Sequence, residues 1–224
     1  MAIELNPTPG VGRNGTDKLQ WRVPVVPSER MKVFMRIFFP NGYDFSGELS
    51  TGGKLGIGLF FGEEVSSGGT LKRNGGSSRV TMTGNPRYDG DDAFWEMYNY
   101  HQQQASRYGD GHRLMPPAAR RADTGVKIVR GRWLDVTIEG VAQSLSSIAD
   151  GSSGIVVRDT DTQDILARYR ASNMRWVTAG DTRLRQVIVS FFHGGTNRSS
   201  EGHWVPAGKQ TLYVEKMYYT TSPA

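Results

Sequence analysis

A lysine, an arginine and two tyrosines fall at spacings that let them share one surface. Lys54 sits in GGKLGIGLFFG (residues 52–62), Arg79 closes SSR (residues 77–79), and Tyr98 and Tyr100 frame YNY (residues 98–100). On an extended strand, side chains two apart point to the same face, so Tyr98 goes with Tyr100 and Ser77 with Arg79. Ammonium and guanidinium groups grip a carboxylate through charge-assisted hydrogen bonds, and phenols move protons. Breaking an acidic sugar chain by β-elimination needs both. The carboxylate must be neutralised as the C5 proton leaves, and the oxygen departing from C4 must be protonated. Lys54 and Arg79 suit the first task. A tyrosine whose pKa the cations depress suits the role of base, and the same or the other tyrosine suits that of acid. Alone, a Tyr-x-Tyr pair reads as the cover of a sheet edge, and a lone arginine as a solvated cation. It is the set that carries the reading.

The elements that would position these groups are strands. Alternating or continuous runs rich in Val, Ile, Phe, Tyr and Thr cover residues 31–39, 54–61, 79–83, 93–100, 126–129, 133–139, 154–159, 165–169, 184–192 and 211–219. Gly-, Asn- and Asp-rich clusters separate them, among them residues 40–42, 73–76, 89–92, 150–153 and 194–197. Helical periodicity is sustained nowhere; residues 142–148 suit a short helical turn or a loop. Ten or so short strands without crossover helices specify an all-β fold, an antiparallel β-sandwich of the jelly-roll, concanavalin-like kind. Residues 1–18 read as an extended N-terminal arm, held by the domain itself or by a neighbouring subunit, and residues 19–224 as one domain. The segment 101–125 is the longest irregular stretch. It follows the tyrosine strand, and long loops in compact domains often serve the site. His112 lies within it and, with Ser77, Glu96 and Gln102, completes the expected substrate contacts.

Composition narrows the partners. A chain of 224 residues with 37% hydrophobic and 22% charged residues buries a real core. The formal net charge of +5 favours an anionic partner. Basic residues are scattered rather than blocked, so nucleic acid is not expected, and no apolar run is long enough for membrane insertion. The absence of cysteine excludes disulfides and thiolate chemistry. His101, His112, His193 and His203 lack metal-ligand spacing, and the acidic turn at Asp89, Asp91 and Asp92 reads as solvated loop, so no metal and no cofactor is expected. No nucleophile elbow or phosphate loop occurs, and no pair of carboxylates is placed to face across a cleft as a glycoside hydrolase requires. MAIELNPTPGVGRNG (residues 1–15) has neither the basic nor the apolar region of a signal peptide.

Beyond these groups, FPNGYDF (residues 39–45), GRW (residues 131–133), DGSSGIVV (residues 150–157), FFHGG (residues 191–195) and WVP (residues 204–206) occur in order. With the Lys, Ser-x-Arg and Tyr-x-Tyr segments, the chain resembles the alginate and glucuronate lyases of polysaccharide lyase family 14 over about residues 31–220. It departs from them where the arginine strand continues as RVTMTGNP and where His193 interrupts Phe-Phe-Gly-Gly. The resemblance implies a jelly roll whose concave sheet binds an acidic polysaccharide, with the family's lysine on Lys54, its serine and arginine on Ser77 and Arg79, and its tyrosines on Tyr98 and Tyr100. Two functions remain open at this point. One is a lyase acting outside the cell or on a virion surface. The other is a glycan-binding structural protein of a virus or phage particle, assembled as an oligomer or onto the virion through its N-terminal arm.

Overall fold

The computed structural model describes residues 1–6, 19–45, 53–83, 93–117, 125–193 and 208–222. Twelve strands form two six-stranded sheets: β1 (Ala2–Leu5), β2 (Leu19–Ser28), β3 (Arg30–Phe38), β4 (Gly53–Gly62), β5 (Gly75–Thr83), β6 (Phe94–Tyr100), β7 (Asp110–Arg113), β8 (Trp133–Val141), β9 (Gly151–Asp159), β10 (Ile165–Met174), β11 (Leu184–His193) and β12 (Gln210–Ser222). The first sheet runs β1-β12-β3-β8-β9-β10 and the second β2-β11-β4-β5-β6-β7. Every pairing between neighbouring strands is antiparallel. This is the all-β sandwich expected from the alternation, and the described residues contain no helix.

The alternation decides which face is which. In β3, Met31, Val33, Met35 and Ile37 are buried, while Lys32, Phe34, Arg36 and Phe38 point away from the core. Opposite them, Leu55, Ile57, Leu59 and Phe61 of β4 and Val80 and Met82 of β5 fill the space between the sheets. The ring of Trp176 stacks on Phe61 at 4.0 Å and 5° and donates its indole N–H to the Val141 carbonyl at 3.1 Å.

Nearly every residue of β4 and β5 is buried, including those facing away from the first sheet. Phe60, Ser77 and Ile188 are each at most 1% exposed on that outer face, so it is recessed rather than flat. Part of its cover is the turn between β4 and β5. Ser77 donates to the Ser66 carbonyl at 3.0 Å, and Ser66 donates to the Gly75 carbonyl at 2.6 Å.

The structure refines the sequence reading at several places. The arm expected over residues 1–18, to be held by the domain itself or by a neighbouring subunit, begins as a strand paired within this domain. Ala2–Leu5 pairs with β12, and Ile3 and Leu5 join the core at 2% and 0% exposure; residues 7–18 lie outside the described residues. The strand β2 was hidden by Pro24 and Pro27. Prolines are tolerated there because β2 is an edge strand, bonded to β11 alone. The run 126–129 forms no ladder but lies beside the start of β6 through a Phe94–Lys127 bridge and the Ile128 N–H to Ala93 carbonyl bond. Residues 142–148 form turns only, closed by the Ile148 N–H on the Leu145 carbonyl. Leu5→Ala is expected to cost about 2–5 kcal/mol, seen as a lower urea midpoint with an unchanged slope. A free arm would leave the midpoint where it was.

Candidate functional site

Register brings the candidate residues together. Arg79 is paired with Gly58 of β4 and Tyr98 of β6, and Ser77 with Phe60 and Tyr100. Residues directly opposite each other share a face, so Phe60, Ser77, Arg79, Tyr98 and Tyr100 all line the recessed outer face of the second sheet. Lys54 has the same parity in β4 as Gly58 and Phe60, and its ammonium stands 4.7 Å from the centroid of the Tyr98 ring. The two phenol rings meet edge to face at 5.5 Å and 81°. Gly58 makes room for the arginine. A Cβ there would stand 2.9 Å from Arg79 Cγ and 2.8 Å from Ile188 Cγ2, so the position admits no side chain without moving the guanidinium.

Electrostatics in the recess is dominated by positive charge, with no carboxylate bonded to Arg79 among the described residues. Arg79 is 8% exposed, packs its guanidinium over the Phe60 ring at 5.0 Å, and its buried Nε has no hydrogen-bond partner among the described residues. Burial draws its pKa down to about 10; Tyr100 and Tyr98 oppose that shift and Arg22 adds to it, so Arg79 remains a cation at neutral pH. Half-buried Lys54 is drawn down to about 8, chiefly by burial, with the Glu96 carboxylate pulling up and Arg79 pulling down. Tyr98 goes the other way. Burial and its hydrogen bond to Tyr100 push it well above the ordinary phenol range, against an opposing bond from the Gly109 backbone. The expectation that neighbouring cations depress this phenol is therefore not met at Tyr98. Burial is the largest cause, and the Glu96 carboxylate pushes the same way.

The remaining candidates separate. Tyr100 is 2% exposed and its hydroxyl accepts the Gly69 N–H at 2.8 Å, so it buttresses Tyr98 from below. Ser77 is fully buried with its hydroxyl committed to Ser66. Glu96 lies on the site face, where it accepts a 2.9 Å hydrogen bond from Thr81 and raises the pKa of Lys54. Gln102 is withdrawn from the site. Its amide donates to the carbonyls of Lys72, Gly75 and Trp176, tying three segments together. His112 is displaced as well. It opposes Met97, a core residue, and so points to the core side of β7, where its ring stacks on Tyr169 at 4.8 Å. The irregular look of residues 101–125 concealed β7, and the alternation within that short strand turns His112 inward.

Sequence reading missed Arg22 because β2 itself was missed. Its guanidinium stands 5.7 Å from the centroid of the Phe60 ring, adding a third cation to this face. Gln20 of the same strand donates to Ser190 of β11 at 3.1 Å. Among the described residues no group of histidines and carboxylates is arranged to hold a metal; Asp89, Asp91, Asp92 and His203 lie outside those residues, as do Gly194 and Gly195.

No family model and no curated protein sequence matches the chain. Solved structures do match. A mutant of the alginate lyase Aly36B in complex with an alginate trisaccharide superposes with a TM-score of 0.73 at 20% identity, covering 99% of this chain and 81% of that one. The marine PL-14 alginate lyase from Aplysia kurodai gives 0.64 at 22%, over 88% and 72%. The alginate lyase vAL-1 from Chlorella virus gives 0.68 at 16%, over 99% and 85%. The protein thus has the jelly roll of these alginate lyases. The ionisation of Lys54 is testable without any substrate. Its side-chain resonance is expected to titrate near 8, and Glu96→Gln to lower that midpoint by removing the carboxylate that favours the ammonium. A midpoint at the ordinary lysine value would contradict the burial described here.

Proposed function

We propose that the protein is a polysaccharide lyase that cleaves a uronate polymer such as alginate or glucuronan by β-elimination on the recessed face of the second sheet. The observation that carries this reading is a nearly buried guanidinium, Arg79, with no carboxylate partner among the described residues, set on the same face as a depressed lysine and a phenol. An unpaired buried cation is costly in an empty site, and the carboxylate of a sugar acid relieves that cost on binding.

Roles follow from the pKa directions. Arg79 neutralises the uronate carboxylate, with Arg22 adding positive potential from the same side. Lys54, drawn down to about 8, is neutral in roughly a tenth of molecules at pH 7. That makes it a better base than Tyr98, whose proton is held firmly. Neutral Lys54 takes the C5 proton as the C4–C5 double bond forms and the C4–oxygen bond breaks. Tyr98 then gives its proton to the departing oxygen, and solvent returns the proton from Lys54 to Tyr98. Acid and base must act on adjacent carbons, and the 4.7 Å between the ammonium and the Tyr98 ring suits that demand. Tyr100, nearly buried and engaged by Gly69, positions Tyr98.

The test is ultraviolet absorbance of the unsaturated product, followed with alginate, glucuronan and hyaluronan. Lys54→Ala is expected to lower kcat by about 10²–10⁴-fold, and Arg79→Ala by about 10²–10³-fold. Tyr98→Phe should cost more than Tyr100→Phe. The rate should climb with pH and level off above about 8, as Lys54 sheds its proton. A rate that falls across that range would make Lys54 a charged clamp on the carboxylate instead. Binding without product on every polyuronate would leave the glycan-binding reading.

A further inference from the structure

On the opposite side of the sandwich, the outer face of the first sheet carries a cavity of about 670 Å³. Three cross-strand rows build it. One runs Lys32, Glu139, Gly154, Arg170 across β3, β8, β9 and β10; the next runs Phe34, Thr137, Val156, Arg168; the third runs Arg36, Asp135, Arg158 to Ile165. Gly154, Thr137 and Val156 are short and make a floor, while Lys32 on one side and Arg168 and Arg170 on the other are long and make walls. The chain leaving β7 raises one wall further. Met115 bonds Arg168 in both directions, at 3.0 and 2.8 Å, and brings Pro116 and Pro117 to the rim.

Charge in this cavity is one-sided. Lys32, Arg158, Arg168 and Arg170 line it, against the single carboxylate of Glu139, which is already paired with Arg30 at 2.8 Å. Asp135, the acidic neighbour of Arg158, is held by Arg36 through two hydrogen bonds of 2.7 and 3.2 Å. Each wall arginine has one backbone or side-chain anchor that aims it: Arg158 on the Gln163 carbonyl, Arg168 on the Pro117 carbonyl, and Arg170 on Ser152 Oγ. Such anchors use a fraction of a guanidinium's five donors and leave a fork for an anion. The volume lies within the range of small-ligand sites. Lys32 on β3 and Arg158, Arg168 and Arg170 on β9 and β10 flank the β8 strand between them, so an extended anionic segment laid across the strands meets cations at both ends of the cavity.

We infer that this cavity is a second, non-catalytic site for a carboxylated glycan segment, which tethers the polymer on the face remote from Lys54 and Arg79. The choice of glycan rests on the lyase reading above; the anionic character of the ligand rests on the cavity alone. Its lining offers no free aromatic platform for bases, since Tyr169 is already stacked on His112.

The experiment is calorimetric titration of a saturated uronate oligosaccharide into Arg79→Ala protein, where binding at the catalytic face is disabled. Residual binding is expected, weakening as salt rises and falling at least tenfold in Arg168→Glu/Arg170→Glu. A second variant fills the floor without touching charge. At Gly154 an added Cβ meets only ordinary contacts, 3.5 Å to the Tyr169 carbonyl and 3.8 Å to Arg170 Cγ, and Gly154→Leu should also abolish the residual binding while melting like its parent. Residual binding indifferent to both variants, or absent from the start, overturns the proposal. So does a single-stranded oligonucleotide that displaces the uronate at lower concentration. Failure of the lyase reading shows separately, as no unsaturated product from the unmodified protein, and leaves an arginine-dependent binding result standing.

Discussion

Positive charge withdrawn from water without a partner is the constraint around which the second sheet is arranged. Arg79 cannot be screened by solvent, lies over an aromatic ring, and shares its face with Lys54 and Arg22. Several arginines elsewhere in the molecule are matched to carboxylates. Asp181 accepts from both Arg183 and Arg185, and Asp135 accepts from Arg36. The contrast separates cations bonded to carboxylates of the fold from a buried one that is not. It also explains the opposite displacements of Lys54 and Tyr98, because desolvation penalises the charged form of each: the ammonium in one case, the phenolate in the other.

The sandwich makes this arrangement affordable. Its core lies between the sheets, where Leu55, Ile57, Leu59 and Phe61 of β4 and Val80 and Met82 of β5 meet the inward side chains of β3, β8 and β9. That packing fixes the pleat of β4, β5 and β6, and the pleat alone sends Lys54, Arg79 and Tyr98 to the other face. A shift of one residue in the β5–β6 register would send Arg79 into the core. Supports beneath the site are local hydrogen bonds: Gly69 on Tyr100, Ser66 on Ser77, and Gln102 on three carbonyls. Tyr100, Ser77 and Gln102, first read as a catalyst and substrate contacts, thus have polar groups bonded to the fold itself.

What the sequence disclosed follows from period. Alternation in β3, β8 and β9 is clean because one face is core and the other faces outward, and it gave both the fold class and the inward residues. Lys54, Arg79, Tyr98 and Tyr100 were legible as a set because strand parity needs no knowledge of which strands are neighbours. Arg22 was not, since its strand carries two prolines and its place beside β11 is a long-range pairing. His112 was misplaced for a related reason: four residues of β7 are too few to show a period, so a strand looked like a loop. The upward shift of Tyr98 was beyond reach because its burial, its bond to Tyr100 and the nearby Glu96 carboxylate all depend on how the strands pack.

The central claim is that Arg79 receives a sugar carboxylate beside Lys54, and the lysine itself can report it. In Tyr98→Phe protein, which keeps the ring but not the acid, the Lys54 side-chain resonance can be titrated with and without a saturated uronate trisaccharide. A bound carboxylate favours the ammonium, so the midpoint should move upward from about 8, and a carboxyl-reduced trisaccharide should leave it in place. An unmoved midpoint under saturating uronate, or an equal shift with the neutral sugar, would contradict the account.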